Sequence, residues 1–139
     1  MVKVLFDTNT YTLFKSQKSK DALDIVDLAD EIGVPNVVIA ELYAGFYGGT
    51  QFSTNVLELE EFLRLPQTSV IGFSDLTPKI YGEQQSKLKR QGIKVPHNDL
   101  WIASLAIENG FVVYSLDKHL KMIPSVTVIQ SFLEFLALT

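Results

Sequence analysis

The sequence predicts an α/β fold of three layers, α/β/α, built on a central parallel sheet. Two observations carry that expectation. Short apolar runs alternate with longer amphipathic segments along the chain, which is the pattern of strands joined by crossover helices and covered on both faces. The length of 139 residues, with no internal repeat and no Pro/Gly-rich linker, is near the commonest size for one core, so one domain over 1–139 is expected.

The elements follow in order. Val2 to Phe6 reads as a short buried strand. Residues 20–32 place Leu23, Ile25, Val26, Leu28, Ala29 and Ile32 among four aspartates, an amphipathic helix that Gly33 would close. A short strand near Val34 leads to Asn36, an expected N-cap for a helix from Val37 to about Tyr47. Ser53 is expected to cap a helix running to Leu65, followed by a strand at Val70–Phe73. Thr77-Pro78 starts a helix, because proline suits the first turn, and Gly92 stops it. Asn98 is expected to cap a mostly apolar helix ending at Asn109-Gly110. Strands at 111–114 and 126–129 and a helix from Ser131 complete the chain.

Composition narrows the chemistry. There are no cysteines, so disulfides, thiol catalysis and thiolate zinc sites are excluded; this fits a reducing cytosol, and a cytoplasmic location is expected. Asp7 interrupts the opening apolar stretch, unlike a signal peptide, and no run approaches the ~18 apolar residues that span a bilayer. With 12 basic and 16 acidic residues the net charge is −4, which counts against generic nucleic-acid binding through Lys and Arg. Two basic clusters stand out, Lys15, Lys18 and Lys20, then Lys79, Lys87, Lys89, Arg90 and Lys94. The second reads first as a solvated helix face. Tyr11, Phe14 and Tyr47 could stack on bases, although aromatics at such positions are more often core.

Four carboxylates occupy informative positions. Asp7 ends the first strand and Asp117 follows the strand 111–114 by only a few residues, so a parallel sheet would put both at strand carboxyl ends, where such folds bind ligands. Singly, each reads as a turn residue or helix cap. Glu41 has Val37, Val38, Ala44 and Gly45 as its same-face helical neighbours; a glutamate in that stripe is expected to be buried, and buried glutamates need a partner. Asp99 opens an apolar core helix. Were these groups to meet bare, each pair at about 4 Å would repel by about 4 kcal/mol at an effective dielectric of 20. Something positive must offset that, or some carboxylates must stay protonated; hard oxygen ligands, with no Cys and only two His, point to Mg²⁺ or Mn²⁺ over zinc. Removing four site acids from a charge of −4 leaves a neutral remainder.

At these residues the chain resembles the PIN-domain family and, within it, the VapC-like toxins of toxin–antitoxin pairs. The resemblance spans nearly the whole chain and rests on Leu5-Phe6-Asp7-Thr8-Asn9, Val38-Ile39-Ala40-Glu41-Leu42-Tyr43-Ala44-Gly45, Asn98-Asp99-Leu100-Trp101-Ile102-Ala103 with Ala106, and Ser115-Leu116-Asp117-Lys118-His119-Leu120. The family often has Thr at the position of Ser115 and usually Phe at that of Leu120. The resemblance implies a PIN-like fold and a Mg²⁺- or Mn²⁺-dependent endoribonuclease, with metal-binding and catalytic roles for Asp7, Glu41, Asp99 and Asp117. Asn9 and Ser115 match polar residues that support the acids. It also implies RNA as substrate, a small antitoxin protein as partner, and a homodimer, for which the helix from Ser53 to Leu65 (Val56, Leu59, Phe62, Leu63) offers interface or core. No role falls to His97 or His119, which read as local hydrogen-bonding or surface residues. Two alternatives stand beside this reading. One is a non-catalytic PIN-fold interaction module. The other is a haloacid-dehalogenase-like phosphatase, disfavoured because Asn9 stands where that chemistry wants a second aspartate.

Overall fold

A computed structural model describes residues 1–139. Five strands, β1 (Lys3–Phe6), β2 (Glu31–Pro35), β3 (Thr68–Ile71), β4 (Val112–Tyr114) and β5 (Val128–Ile129), form one sheet in the order β3-β2-β1-β4-β5, with every pairing parallel. Helices α1 (Thr8–Ser16) and α2 (Lys20–Leu28) join β1 to β2, and α3 (Asn36–Gly48) and α4 (Phe52–Leu63) join β2 to β3. Helices α5 (Thr77–Arg90) and α6 (His97–Asn109) lead to β4; the single turn α7 (Lys118–Lys121) precedes β5, and α8 (Phe132–Leu136) ends the chain. The chain builds outward from β1 to β3, then returns past β1 to β4 and β5. Right-handed crossovers running in opposite directions place helices on both faces of the sheet. They also open a crevice beyond the carboxyl ends of β1 and β4, where the direction of winding reverses.

The predicted architecture holds, with corrections at element ends. Helix α2 stops at Leu28, four residues before the predicted end, and Ile32, Gly33 and Val34 lie buried inside β2. Gly33 is therefore not a helix stop. A Cβ there would lie 2.8 Å from Ile71 Cγ1 and 3.0 Å from the Phe111 ring, so glycine lets neighbouring side chains close over the strand. Asn36, Ser53 and Asn98 are not N-caps: their helices begin at or before them, behind Pro35, Gln51 and Pro96. The extended φ and ψ of Pro35 and Pro96 set the entry instead. The predicted starts at Thr77-Pro78 and Ser131 hold, as does the stop at Gly110, whose φ of 73° suits glycine. Strand β3 starts two residues earlier than expected, and α1 was not predicted, because Thr-Asn-Thr-Tyr-Thr is poor in strong helix formers.

The core joins Val4, Leu5 and Phe6 of β1 to Tyr11, Leu59, Phe62, Leu100 and Tyr114, among others, all nearly inaccessible to solvent. Phe6 packs edge-on against Tyr114 at 5.3 Å, and Tyr11 against Phe62 at 5.2 Å. Leu59 and Phe62 of α4, offered above as core or interface, are core, and so is Tyr11. Tyr47 is exposed, lying against Phe52. No helix is long and apolar enough to cross a membrane.

Candidate active site

The crevice beyond β1 and β4 holds a cavity of about 100 Å³ lined by Asp7, Thr8, Asn9, Glu41, Asp99, Ile102 and Asp117. All four predicted acids meet there from four separate parts of the chain, and Asn9 joins them.

Asp7 follows β1 directly and caps α1. Its Oδ1 accepts the Thr10 N–H at 2.8 Å, and the Thr10 hydroxyl accepts the Asp7 N–H at 3.1 Å in return, a reciprocal capping box. The Thr10 hydroxyl also lies 2.9 Å from the Tyr114 carbonyl oxygen, tying α1 to β4. Asp7 Oδ2 accepts a hydrogen bond from the buried Ser115 hydroxyl. Asp7 thus caps α1 while it also lines the cavity. Only 6% of Asp7 is exposed, and that edge faces the cavity.

Ser115, the residue after β4, links the second acid to the first. Its Oγ accepts the Asp117 N–H at 3.0 Å. Asp117 Oδ1 in turn accepts the His119 N–H at 2.7 Å, capping α7, and lies 3.0 Å from His119 Nδ1. Leu120 is fully buried beneath this turn.

The helix-borne acids are held more loosely. Asp99, in the first turn of α6, has a largely covered side chain, and its nearest counter-group is His119 Nδ1 at 3.8 Å. Burial and the negative charge of Asp117, with smaller shares from Asp7 and Glu41, push the Asp99 carboxyl up to about 6, while His119 works in the opposite direction. Glu41 departs from expectation: it is exposed, as are Ala44 and Gly45 on the same face of α3. Its stripe fronts the open crevice, so its small neighbours leave space above them where packing was expected. Its one hydrogen bond comes from Asn98 Nδ2 at 3.3 Å. Asn98, freed from capping, ties α6 to α3.

No Lys or Arg comes within 4 Å of any of the four acids. The one basic side chain among them is His119, the residue the sequence reading left without a role. It shares a patch within 4.8 Å with carboxylate oxygens of Asp99 and Asp117. Its offset of two residues from Asp117 was the available signal, since such spacing in a capped turn brings both side chains to one side. A divalent cation fits this donor set: hard oxygens, a nearby imidazole, no sulfur, and like charges that lack a counter-ion.

Comparisons with known proteins identify the family and the fold. The family model "PIN domain" matches residues 4–125. A protein named Ribonuclease VapC2 from Rickettsia felis is 32% identical over 125 residues, covering 87% of this chain and 92% of the relative. Ribonuclease VapC4 from Mycobacterium tuberculosis is 26% identical, covering 71% of this chain and 76% of the relative. Among solved structures, VapBC-1 from nontypeable Haemophilus influenzae superposes with a TM-score of 0.82 at 22% identity, over 95% of this chain and 99% of that one. VapBC2 from Rickettsia felis, bound to a promoter DNA fragment, gives 0.80 at 23% identity over 92% and 98%. A five-stranded parallel sheet with carboxylates gathered at its central crevice defines a class of α/β proteins. Within that class, this chain belongs to the PIN-domain family, among relatives that carry the VapC name.

Proposed function

We propose that the chain is a metal-dependent endoribonuclease, the toxin of a toxin–antitoxin pair, with Asp7, Glu41, Asp99 and Asp117 as its metal-binding and catalytic acids. The observation that carries this is the convergence of those carboxylates on one small cavity with no Lys or Arg to balance them. Family membership and the ribonuclease names of the relatives support it. It leaves the phosphatase alternative without support.

In this reading Asp7, Asp99 and Asp117 would hold Mg²⁺ or Mn²⁺, with Glu41 on the open side. When bound, such a cation would supply Lewis acidity, acidifying a water and offsetting phosphodiester charge. The chain's own groups do the rest. Ser115 and Thr10 fix the direction of the Asp7 carboxylate. Asn98 holds Glu41 over the cavity mouth, where its single long hydrogen bond leaves it free to accept a proton from an attacking water. His119 orients Asp117. Asn9, which lines the cavity without a side-chain bond of its own, is placed to contact the substrate.

The VapBC names of the structural neighbours support a small antitoxin as partner, and we propose that the toxin is a cytoplasmic homodimer. The test is direct. Purified protein, free of partner, is incubated with total RNA with and without Mg²⁺ or Mn²⁺, and the ends are mapped. Cleavage appears only with metal, and Glu41→Gln is inert. Equal cleavage in excess chelator, or by Glu41→Gln and Asp99→Asn, defeats the metal mechanism.

A further inference from the structure

The two basic clusters of the sequence have different fates in the fold. Lys15 is hydrogen-bonded to Asn55 and lies 4.0 Å from Glu58, while Lys20 pairs with Asp24 at 2.7 Å. That cluster is mostly committed within the chain. The second is not. Segment 77–97 carries five basic residues against one acid, Glu83, a net +4 that leaves −8 for the remainder of a −4 chain. Lys87 neutralises Glu83 at 3.2 Å, and no carboxylate lies within 4 Å of Lys89, Arg90 or Lys94, all of which are exposed.

Two of these free cations, Lys89 and Lys94, border a concavity. A cleft of about 420 Å³ opens between the end of α5, the 91–96 loop and the start of α6, lined by Gln85, Lys89, Lys94 and His97 among others. Its wall is fixed, because the Tyr81 hydroxyl is hydrogen-bonded to His97 Nδ1 and the Tyr81 ring stacks on Trp101 at 4.0 Å. His97 lines this cleft and Asp99 lines the acidic cavity. They are two residues apart on one helix, about 3 Å of axial rise and roughly 200° around its axis. The basic cleft and the acidic centre therefore lie on opposite sides of the first turn of α6, and a strand passing from one to the other rounds the helix tip.

We propose that this cleft is the phosphate-binding track of the enzyme, taking the backbone of a single-stranded RNA segment next to the scissile bond, with Lys89 and Lys94 contacting phosphates. The proposal rests on the ribonuclease reading and deepens it. It answers the difficulty raised by the acidic total charge, since a strand in the cleft meets two lysines, Lys89 and Lys94, within a segment of net +4. Contacts to phosphate position a strand without reading its sequence, so the cleft contributes affinity and register, and base preference arises elsewhere.

The experiment compares Lys89→Gln/Lys94→Gln with the charge-matched control Lys18→Gln/Lys20→Gln on the full chain. Anisotropy of short labelled single-stranded RNAs of several sequences is read across a salt series in chelator, where no cleavage occurs. The cleft variant weakens binding by a similar factor for every sequence. Its salt slope falls by about 1.4, about 0.7 for each phosphate of a single strand that is no longer neutralised. Raising salt from about 50 to 200 mM then costs the wild type roughly sevenfold more affinity than the variant, and the control tracks the wild type. Equal losses in both variants, or no change in slope, overturn the proposal. So does polyglutamate competing as well as RNA and losing affinity alongside it, which marks a docking surface for an acidic protein. Cleavage kinetics separate the two readings: cleft-dependent binding without metal-dependent cleavage defeats the nuclease alone, and cleavage with unaltered KM in the cleft variant defeats the track alone.

Discussion

The two acids that leave strands and the two that sit on helices are held in opposite ways. Asp7 and Asp117 are fixed by backbone N–H groups, by Ser115 and by the caps they make. Glu41 has one long bond from Asn98, and Asp99 has only His119 at 3.8 Å. The first pair serves the fold as well as the cavity; the second has almost no work in the fold. An acid kept where it stabilises nothing locally points more strongly to a ligand than one that also caps a helix.

Measurements can break that contrast. The largest expected effect is on cleavage: Asp99→Asn and Glu41→Gln each lower the RNA cleavage rate by about 100-fold or more, the scale of losing one preorganised electrostatic group. Next is metal linkage. Mn²⁺ or Mg²⁺ at about 100 times its Kd stabilises the wild type by about 2.7 kcal/mol, read as a shift in Tm, and Asp99→Asn removes most of that increment. A Tm that ignores both ions would leave the acids without their counter-charge.

Stability in chelator separates the pairs. Asp7→Ala removes a cap and strands the Ser115 hydroxyl, costing about 1–2 kcal/mol by denaturant unfolding. Glu41→Gln, exposed and weakly bonded, stays within about 0.5 kcal/mol of wild type. If the two variants lose equally, the distinction between held and loose acids is wrong.

The last expectation concerns pH dependence. The folded Asp99 carboxyl titrates at about 6, above its ordinary 3.8, so between those values the native state binds more protons than the unfolded chain. Metal-free stability therefore falls as pH rises from about 4 to about 6, and Asp99→Asn flattens that stretch. The cation must displace the same proton, so apparent metal affinity weakens as pH drops below about 6.

What the sequence disclosed follows the range of the forces involved. The positions of Asp7 and Asp117 were legible because a parallel sheet puts its strand ends on one side, and that pattern is local and periodic. The burial of Glu41 was not legible: an apolar stripe marks a face, but whether that face meets a neighbour or an open crevice is decided by α6, far along the chain. Gly33 misled for a similar reason, since Ile71 and Phe111, which press on it, come from β3 and from just before β4. His119 was missed because its value depends on Asp99, twenty residues away, approaching from another element. The 87–94 basic run looked like an ordinary solvated face until the fold showed Lys89 and Lys94 without acidic partners, lining a cleft that reaches His97 at the start of the helix that carries Asp99.

The Ser115 hydroxyl has a mechanical consequence. It gives its proton to Asp7 and receives one from the Asp117 backbone, so the strand-borne acids are coupled like two jaws on one pin. Thermal drift that displaces one carboxylate carries the other with it, and the gap between them varies less than either position does. Ser115→Ala would remove the pin with little change in bulk, letting the jaws wander independently.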